Sequence, residues 1–487
     1  MSTPHYGEFP PLLDIRGGES SVSGSFTRIA SISGLRGIVG AGIDPVVAAE
    51  FAAAYASECE EGAIVVGHDG RVSAPVFAAA VEAGITATGH DVIMVGATAT
   101  PTIGVLVRDQ NAAGGIQISA SHNPPNYNGL KFFQRAGMVL SQRQGAQVLD
   151  RWQRRDFRWS SWDSLGKAQR FEDPDRRHLE RVLSIVDSAT IRRHSFKVVL
   201  DACHGAGGRL GTATLRALGC KSTILGGQPD GLYDHTPEPT ETNLKEFAAM
   251  VPAIGAAVGF AQDPDADRLA IVDEMGRYIG EELTLALAAT RRLEQVKGPV
   301  VLNLSTSRVT ETLASRHGCP VLRTPVGEIN VVERMLAEDA LIGGEGNGGV
   351  IDPRVGYVRD SFAAMALVLD LMAATGEPLS HLVAGLPHYA MIKDQYPLGQ
   401  NKAVGSSSPT GATDIAALWD RIEAACPDAR ADRRDGLRLD WDDRWVHVRA
   451  SNTEPIVRVI AEAALAPLAR ELADRIGRWV RDTEGLP

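Results

Sequence analysis

The sequence predicts an α/β fold in three domains of similar plan, followed by a smaller α+β C-terminal domain. Two observations carry that reading. A short β-branched strand, a glycine-containing turn and an amphipathic helix recur in that order, starting at AIVVGHDG (63–70), FKVVLDACHGAGG (196–208) and GPVVLNLSTS (298–307). The C-terminal part instead alternates apolar and polar side chains, as half-exposed antiparallel strands do.

Residues 1–26, rich in Pro, Gly and Ser, predict a loose tail without the basic-then-apolar pattern of a secretion signal. In the first domain (27–170), AIVVGHDG reads as strand and turn, SAPVFAAAVEAGITATG (73–89) has helical spacing, and DVIMVG (91–96) is the next strand. In the second (171–276), FKVVLDACHGAGG delivers a helix near 209–218. In the third (277–388), GPVVLNLSTS delivers one near 307–317. Strands alternating with helices predict parallel βαβ layers. In the fourth (389–487), IKDQYPL, GLRLDWDDRWVHVRAS and IVRVIAEAAL read as strands, and APLARELADRIGRWVRD (466–482) as an amphipathic helix.

With 487 residues, 44% hydrophobic and 22% charged, the chain has the composition of a soluble globular protein with several cores. A net charge of −11 excludes a global basic field, so neither nucleic acid nor membrane is expected as a partner. An anionic small substrate would need a local basic pocket. The five cysteines show no metal-ligand spacing, and their odd number speaks for free thiols in a reducing cytoplasm. No apolar run is long enough to span a membrane.

Chemistry concentrates in a few windows. In GGIQISASHNPPNYNGLKFF (114–133) an apolar strand empties into Ser119, Ser121, His122 and Asn123, is stopped by two prolines, and leads to Lys131. A serine reacts only when oriented, relieved of its proton or used as a phosphoryl store; a histidine and a lysine beside it suit proton movement or phosphate binding. An ordinary capped polar turn has the same composition. In QDPDADR (262–268), Asp263, Asp265 and Asp267 alternate, so an extended backbone puts three carboxylates on one side, as a hard-cation site for Mg²⁺ requires. A calcium EF-hand fails because Arg268 occupies the loop position that needs glycine and the flanks read as strands. A solvated acidic turn stays open. In GGEGNGGV (343–350), glycines surround Glu345 and Asn347, an acceptor and a donor that suit sugar hydroxyls. In WVHVRASNTEPIVRV (445–459), Arg449, Ser451, Asn452, Thr453 and Arg458 suit a phosphate dianion, and equally a hairpin loop without ligand. Arg36 in SISGLRGIVG (31–40), and Arg71 and Ser73 in VVGHDGRVSAP (65–75), are further phosphate-contact candidates, though each by itself is more often a helix cap or a surface arginine.

Taken together these stretches resemble the α-D-phosphohexomutase family over roughly residues 30–465, on SASHNP with NGLK, DPDADR, GGEGNGG and RASNTEP in that order. The resemblance implies three α/β domains with mixed sheets and a smaller C-terminal domain around a central cleft. It implies Mg²⁺-dependent, reversible transfer of phosphate between the 6- and 1-hydroxyls of a hexose, through a phosphoserine and a 1,6-bisphosphate. Ser121 matches the phosphoserine; His122, Lys131, Arg268 and Arg36 would serve the transfer. A Ser121 phosphate oxygen with Asp263, Asp265 and Asp267 would hold the metal. Glu345 and Asn347 would bind the sugar, and Arg449, Ser451, Asn452, Thr453 and Arg458 the non-transferring phosphate. A hexose phosphate is the implied substrate, glucose 1,6-bisphosphate or an equivalent hexose bisphosphate the implied activator, and a cytoplasmic monomer or homodimer the expected state.

The chain departs from common family forms at informative places. Asn347 and Gly349 stand where many members have the serine and histidine of Glu-x-Ser-Gly-His; Pro264 stands where glycine is frequent; TPVGEIN (324–330) differs from other specificity loops. GLRGIVG with GGEGNGGVI favours phosphoglucosamine mutase, whereas SNTEP matches phosphomannomutase/phosphoglucomutase, the alternative reading. A metal-dependent phosphatase and a non-catalytic sugar-phosphate binding protein are more remote; the filled phosphate loop speaks against the first, and Ser121, Lys131 and the intact aspartate trio against the second.

Overall fold

The computed structural model describes residues 29–31, 34–397, 409–451 and 456–481; the expected N-terminal tail, Asn452 and Thr453 lie outside the described residues. Four sheets organise the chain. The first has seven strands, in the spatial order Ile29–Ser31, Gly34–Ile38, Tyr127–Gln134, Gly114–Ile118, Ile64–His68, Val92–Ala97, Ala168–Arg170. The second runs Leu269–Asp273, Val258–Gln262, Lys197–Asp201, Lys221–Leu225, and the third Val321–Thr324, Val300–Asn303, Ile342–Glu345, Gly349–Ile351. The fourth has five strands, all antiparallel: Ala390–Pro397, Ile456–Ala463, Arg444–Ala450, Leu437–Asp440, Arg430–Asp432.

The first three sheets are mixed, where the strand–helix rhythm alone predicts parallel layers. In each, a parallel strand turns straight back into an antiparallel partner: Gly114–Ile118 into Tyr127–Gln134, Val258–Gln262 into Leu269–Asp273, Ile342–Glu345 into Gly349–Ile351. A return by a short turn needs no crossover helix, so the pair is necessarily antiparallel. The same four-strand order recurs in all three sheets. Each such hairpin carries one chemical window at its turn: Ser121, the aspartate trio and Asn347. Glu345 ends the strand leading into the last of them.

Packing explains why these turns meet. One core joins the second and third sheets through the helices Glu281–Gln295 and Ser361–Thr375, with Leu200, Phe260, Leu285 and Phe362 among its members. The helix Ser361–Thr375 is buried from Ser361 to Ala373 and almost wholly apolar, as an enclosed helix must be, with its one charged residue, Asp370, paired to Arg291 at 2.6 Å. Asp360 caps its start by accepting from the Phe362 and Ala363 N–H groups, and Gly376 ends it in the left-handed region. The fourth sheet has its own core around Leu437, Val446, Val459 and Ile476. It docks on the third through polar contacts, including Ser305 Oγ to His447 Nδ1 at 2.9 Å and Val326 N–H to Asp435 at 2.9 Å. Among the described residues, no helix is long and apolar enough to cross a membrane.

Candidate active site

The site begins where the all-buried strand Gly114–Ile118 ends. Ser119 Oγ donates to Asp69 Oδ2 at 2.6 Å and accepts the Ser121 N–H at 2.8 Å. That bend places Ser121 at φ +53°, a left-handed conformation that costs a non-glycine residue about 1 kcal/mol or more. Arg71 holds the loop in this shape. Its guanidinium is paired with Asp69 and donates to four carbonyls, those of Ser121, Asn123, Pro124 and Tyr127, at 2.6–3.0 Å. The reading of Arg71 and Ser73 as phosphate contacts is therefore corrected. Arg71 is 1% exposed and its donors face backbone; Ser73 Oγ accepts from Asn128 at 2.9 Å.

Ser121 Oγ donates to Asp263 Oδ2 at 2.9 Å and lies 3.2 Å from His122 Nδ1. Asp263, Asp265 and Asp267 are fully buried, with ligand oxygens within 4.8 Å of one another. Ala266 at φ +56° makes the tight turn between the last two. Lys131 Nζ donates to Asp265 at 2.5 Å and to Asp267 at 2.9 Å, and Arg359 donates to Asp267 at 2.7 Å. Three carboxylates cannot share a dry site as anions without such compensation. Burial, then Asp265 and Asp267, push the Asp263 carboxyl well above the ordinary range. Burial acts upward on Asp267 too, but Arg359, Lys131 and Arg268 overcome it and hold that carboxyl low. For Lys131, burial is outweighed by Asp265 and Asp267, so its ammonium is reinforced. Burial, then Arg268 and Arg36, push His122 down to about 2, which leaves a neutral imidazole.

The trio fits a divalent cation. Oδ1 of Asp265 and Oδ1 of Asp267 are buried and accept no hydrogen bond among the described residues, while the partner oxygens are held by Lys131, Arg359 and Thr100. Two buried acceptors without donors, beside a third carboxylate, suit a hard cation with oxygen ligands.

Glu345 and Asn347 face the same space from the third sheet. Glu345 accepts from Asn303 at 2.9 Å, the Gly327 N–H at 3.2 Å and Arg359 at 2.6 Å. Asn347 Oδ1 accepts the Gly349 N–H at 3.2 Å. Gly348 sits at φ +82° with its Cα against the metal hairpin, where a Cβ would stand 2.6 Å from the Leu269 carbonyl; only glycine fits. In the fourth sheet Arg449 and Arg458 are directly paired across antiparallel strands. Like charges so placed repel unless anions lie between or beside them, and Asp435 holds Arg449 at 3.2 Å. Arg36 donates to Asn123 at 2.9 Å.

These groups line one cavity of about 790 Å³, reached by Arg36, His122 and Lys131 from the first sheet, Arg268 from the second, Glu345 and Asn347 from the third, and Arg449 and Arg458 from the fourth. Ser121 itself is buried, between Ser119 and His122, which line the cavity. Sequence reading passed over Arg359, Asp435, Glu282 and Lys393. Arg359 precedes the Asp360 cap, a local signal of a helix start that says nothing of partners 14 and 92 residues away. Lys393, from the fourth sheet, and Glu282, from the first turn of the helix Glu281–Gln295, pair at the cavity wall at 3.0 Å.

Four family models match the chain. They describe phosphoglucomutase/phosphomannomutase alpha/beta/alpha domains I, II and III and the C-terminal domain, over residues 28–159, 176–276, 280–389 and 413–478. A phosphoglucomutase/phosphomannomutase of Thermococcus kodakarensis is 37% identical over 446 residues, 90% of this chain and 95% of that protein. A probable phosphoglucosamine mutase of Methanopyrus kandleri is 35% identical over 455 residues, covering 92% and 97%. The crystal structure of a phosphoglucomutase/phosphomannomutase family protein from Burkholderia thailandensis superposes with a TM-score of 0.79 at 26% identity, over 93% of this chain and 96% of that one.

Proposed function

The chain belongs to the phosphoglucomutase/phosphomannomutase family and is a phosphohexomutase; from that premise we propose that it interconverts hexosamine 6- and 1-phosphates, with glucosamine phosphate as the preferred substrate. The observation that carries the mechanism is the 2.9 Å contact of Ser121 Oγ with Asp263, buried directly behind His122 and Ser119 at the wall of a cavity lined from all four domains. Ser121, as a phosphoserine, gives its phosphoryl group to the free O1 or O6 of a bound sugar monophosphate. The new P–O bond forms as the bond to Ser121 Oγ breaks, and the hydroxyl proton passes to that oxygen. The resulting bisphosphate turns around, and its other phosphate returns to Ser121.

The residues divide the work. Lys131 and Arg268 remain cations and stabilise charge on the transferring group. His122, neutral beside Ser121 Oγ, is placed to accept a hydrogen bond there. A Mg²⁺ ion held by Asp263, Asp265, Asp267 and a phosphoserine oxygen would neutralise charge during transfer. Glu345 and Asn347 contact sugar hydroxyls. Arg449 and Arg458, with Ser451, Asn452 and Thr453, hold the phosphate that stays behind. One such site serves both orientations of the bisphosphate. Glucose 1,6-bisphosphate is the activator that first loads Ser121.

The name of the Methanopyrus relative supports the amino-sugar reading. The Thermococcus relative and the SNTEP loop favour a second one, phosphomannomutase/phosphoglucomutase. The test supplies Mg²⁺, a trace of glucose 1,6-bisphosphate and, in parallel, the 1-phosphates of glucosamine, mannose and glucose, with Ser121→Ala beside wild type. Preferential conversion of glucosamine 1-phosphate, abolished in the variant, is expected. Preference for mannose or glucose replaces the substrate; activity retained without Ser121 refutes the mechanism.

A further inference from the structure

We propose that Arg359 is a positioning residue that couples the metal loop to the sugar loop, so that the state of Glu345 sets how firmly Asp267 holds a cation. The proposal rests on the reading of those two loops given above. Its basis is one buried guanidinium shared between hairpins of two different sheets. Arg359 Nη2 donates to Asp267 Oδ2 at 2.7 Å and Nη1 donates to Glu345 Oε2 at 2.6 Å. Nε lies 3.5 Å from Glu328, whose other oxygen accepts the Arg359 N–H at 2.9 Å. The planar fork of arginine reaches separate carboxylates in fixed directions; the single nitrogen of lysine does not.

The division of oxygens gives the bridge its effect. Arg359 and Lys131 take Oδ2 of Asp267 and leave the buried Oδ1 to a cation. Groups that hold the outer oxygen of a ligating carboxylate fix its direction and tune its hold on the metal. When Glu345 loses charge, the shared guanidinium is drawn more strongly to Asp267, which then gives less to a cation.

The sequence makes room for this bridge at Gly349. A Cβ there would stand 2.3 Å from Arg359 Cδ and 2.9 Å from Cγ, so a side chain at 349 and the arginine stem exclude each other. The missing histidine of the sugar loop and the arginine 10 residues later are one structural feature.

The test measures Mn²⁺ affinity by electron paramagnetic resonance of the free ion, without sugar phosphate or turnover, for wild type, Glu345→Gln, Arg359→Met and the double variant. Glu345→Gln is expected to weaken Mn²⁺ about threefold to tenfold in the wild-type background and less than about 1.5-fold in the Arg359→Met background, the non-additivity of residues that share a partner. An equal factor in both backgrounds would show that Glu345 acts only through its own field and would overturn the proposal. So would no effect in the wild-type background, or no Mn²⁺ binding to wild type. If Arg359→Met does not fold, Arg359→Lys takes its place: the charge stays but the bridge is broken, and an undiminished factor there refutes the coupling. Absence of mutase turnover would refute the substrate reading while leaving this binding cycle intact.

Discussion

Ser121 Oγ and Asp263 Oδ2 lie 2.9 Å apart across 142 residues of sequence. The serine that would carry phosphate is thereby held against a carboxyl group whose ionisation is opposed by burial and by two neighbouring aspartates. Millimolar Mg²⁺ should raise the thermal midpoint of the protein, since a ligand at 100 times its Kd adds about 2.7 kcal/mol to stability. EDTA should return the midpoint to its starting value, and Asp265→Asn should lose the response. Differential scanning fluorimetry reads all three. An unresponsive wild type would count against the cation site.

Arg71 does not itself line the cavity, yet its removal should be among the costliest single changes. Arg71→Met leaves Asp69 without its cation and takes the guanidinium donor from four carbonyls. Breaking a buried pair from one side costs about 3–5 kcal/mol. Urea unfolding should show a loss of that order, with turnover falling because Ser121 is no longer held in its left-handed turn. A variant as stable and active as wild type would show that the loop shape comes from elsewhere.

Gly349→Ala keeps every charge but places a methyl group in the path of Arg359. Displacing the guanidinium from Asp267 and Glu345 should lower kcat/KM about 10- to 100-fold, the scale of an ångström misplacement. The double variant Gly349→Ala/Arg359→Ala should be no worse than Arg359→Ala alone. Fully additive losses would mean that the two positions act separately.

His447 makes the docking of the fourth sheet on the third sensitive to acid. Burial is the largest influence on it and pushes its pKa down to about 4, against an ordinary 6.5, with Asp435 opposing and Arg438 and Arg449 adding to the shift. The unfolded chain therefore binds a proton that the folded one refuses between pH 6.5 and about 4. Stability should rise with pH across that window and fall as pH drops through it. Urea midpoints at pH 7.5, 5.5 and 4.5 measure this, and His447→Gln should flatten the profile. An unchanged slope in the variant would assign the pH dependence to other groups.

Much of this architecture was legible because its signals are local. Strand patterns such as FKVVLD and turn chemistry such as SHNPP and DPDADR are set by neighbours in sequence. The strand–helix rhythm alone did not show the mixed character of the first three sheets, which came with the family resemblance, because a return strand such as Leu269–Asp273 has the same all-buried pattern as a parallel one. Arg359 escaped notice for a similar reason: its partners come from two other hairpins. Arg71 shows the opposite error. An arginine after a strand end invites a phosphate reading, and only the fold reveals that its donors close a backbone loop.

The repeated hairpin has a consequence for how such a molecule diversifies. Each turn is anchored by strands whose partners lie within its own sheet, so the scaffold beneath one turn can stay as it is while residues at its tip change. Side chains at the three tips can vary on a constant strand framework, much as interchangeable bits fit one handle. Arg359 ties the turn at 345–349 to the aspartate trio, as Ser121 and Lys131 tie the serine turn to it, so the three tools share a centre although their handles are separate.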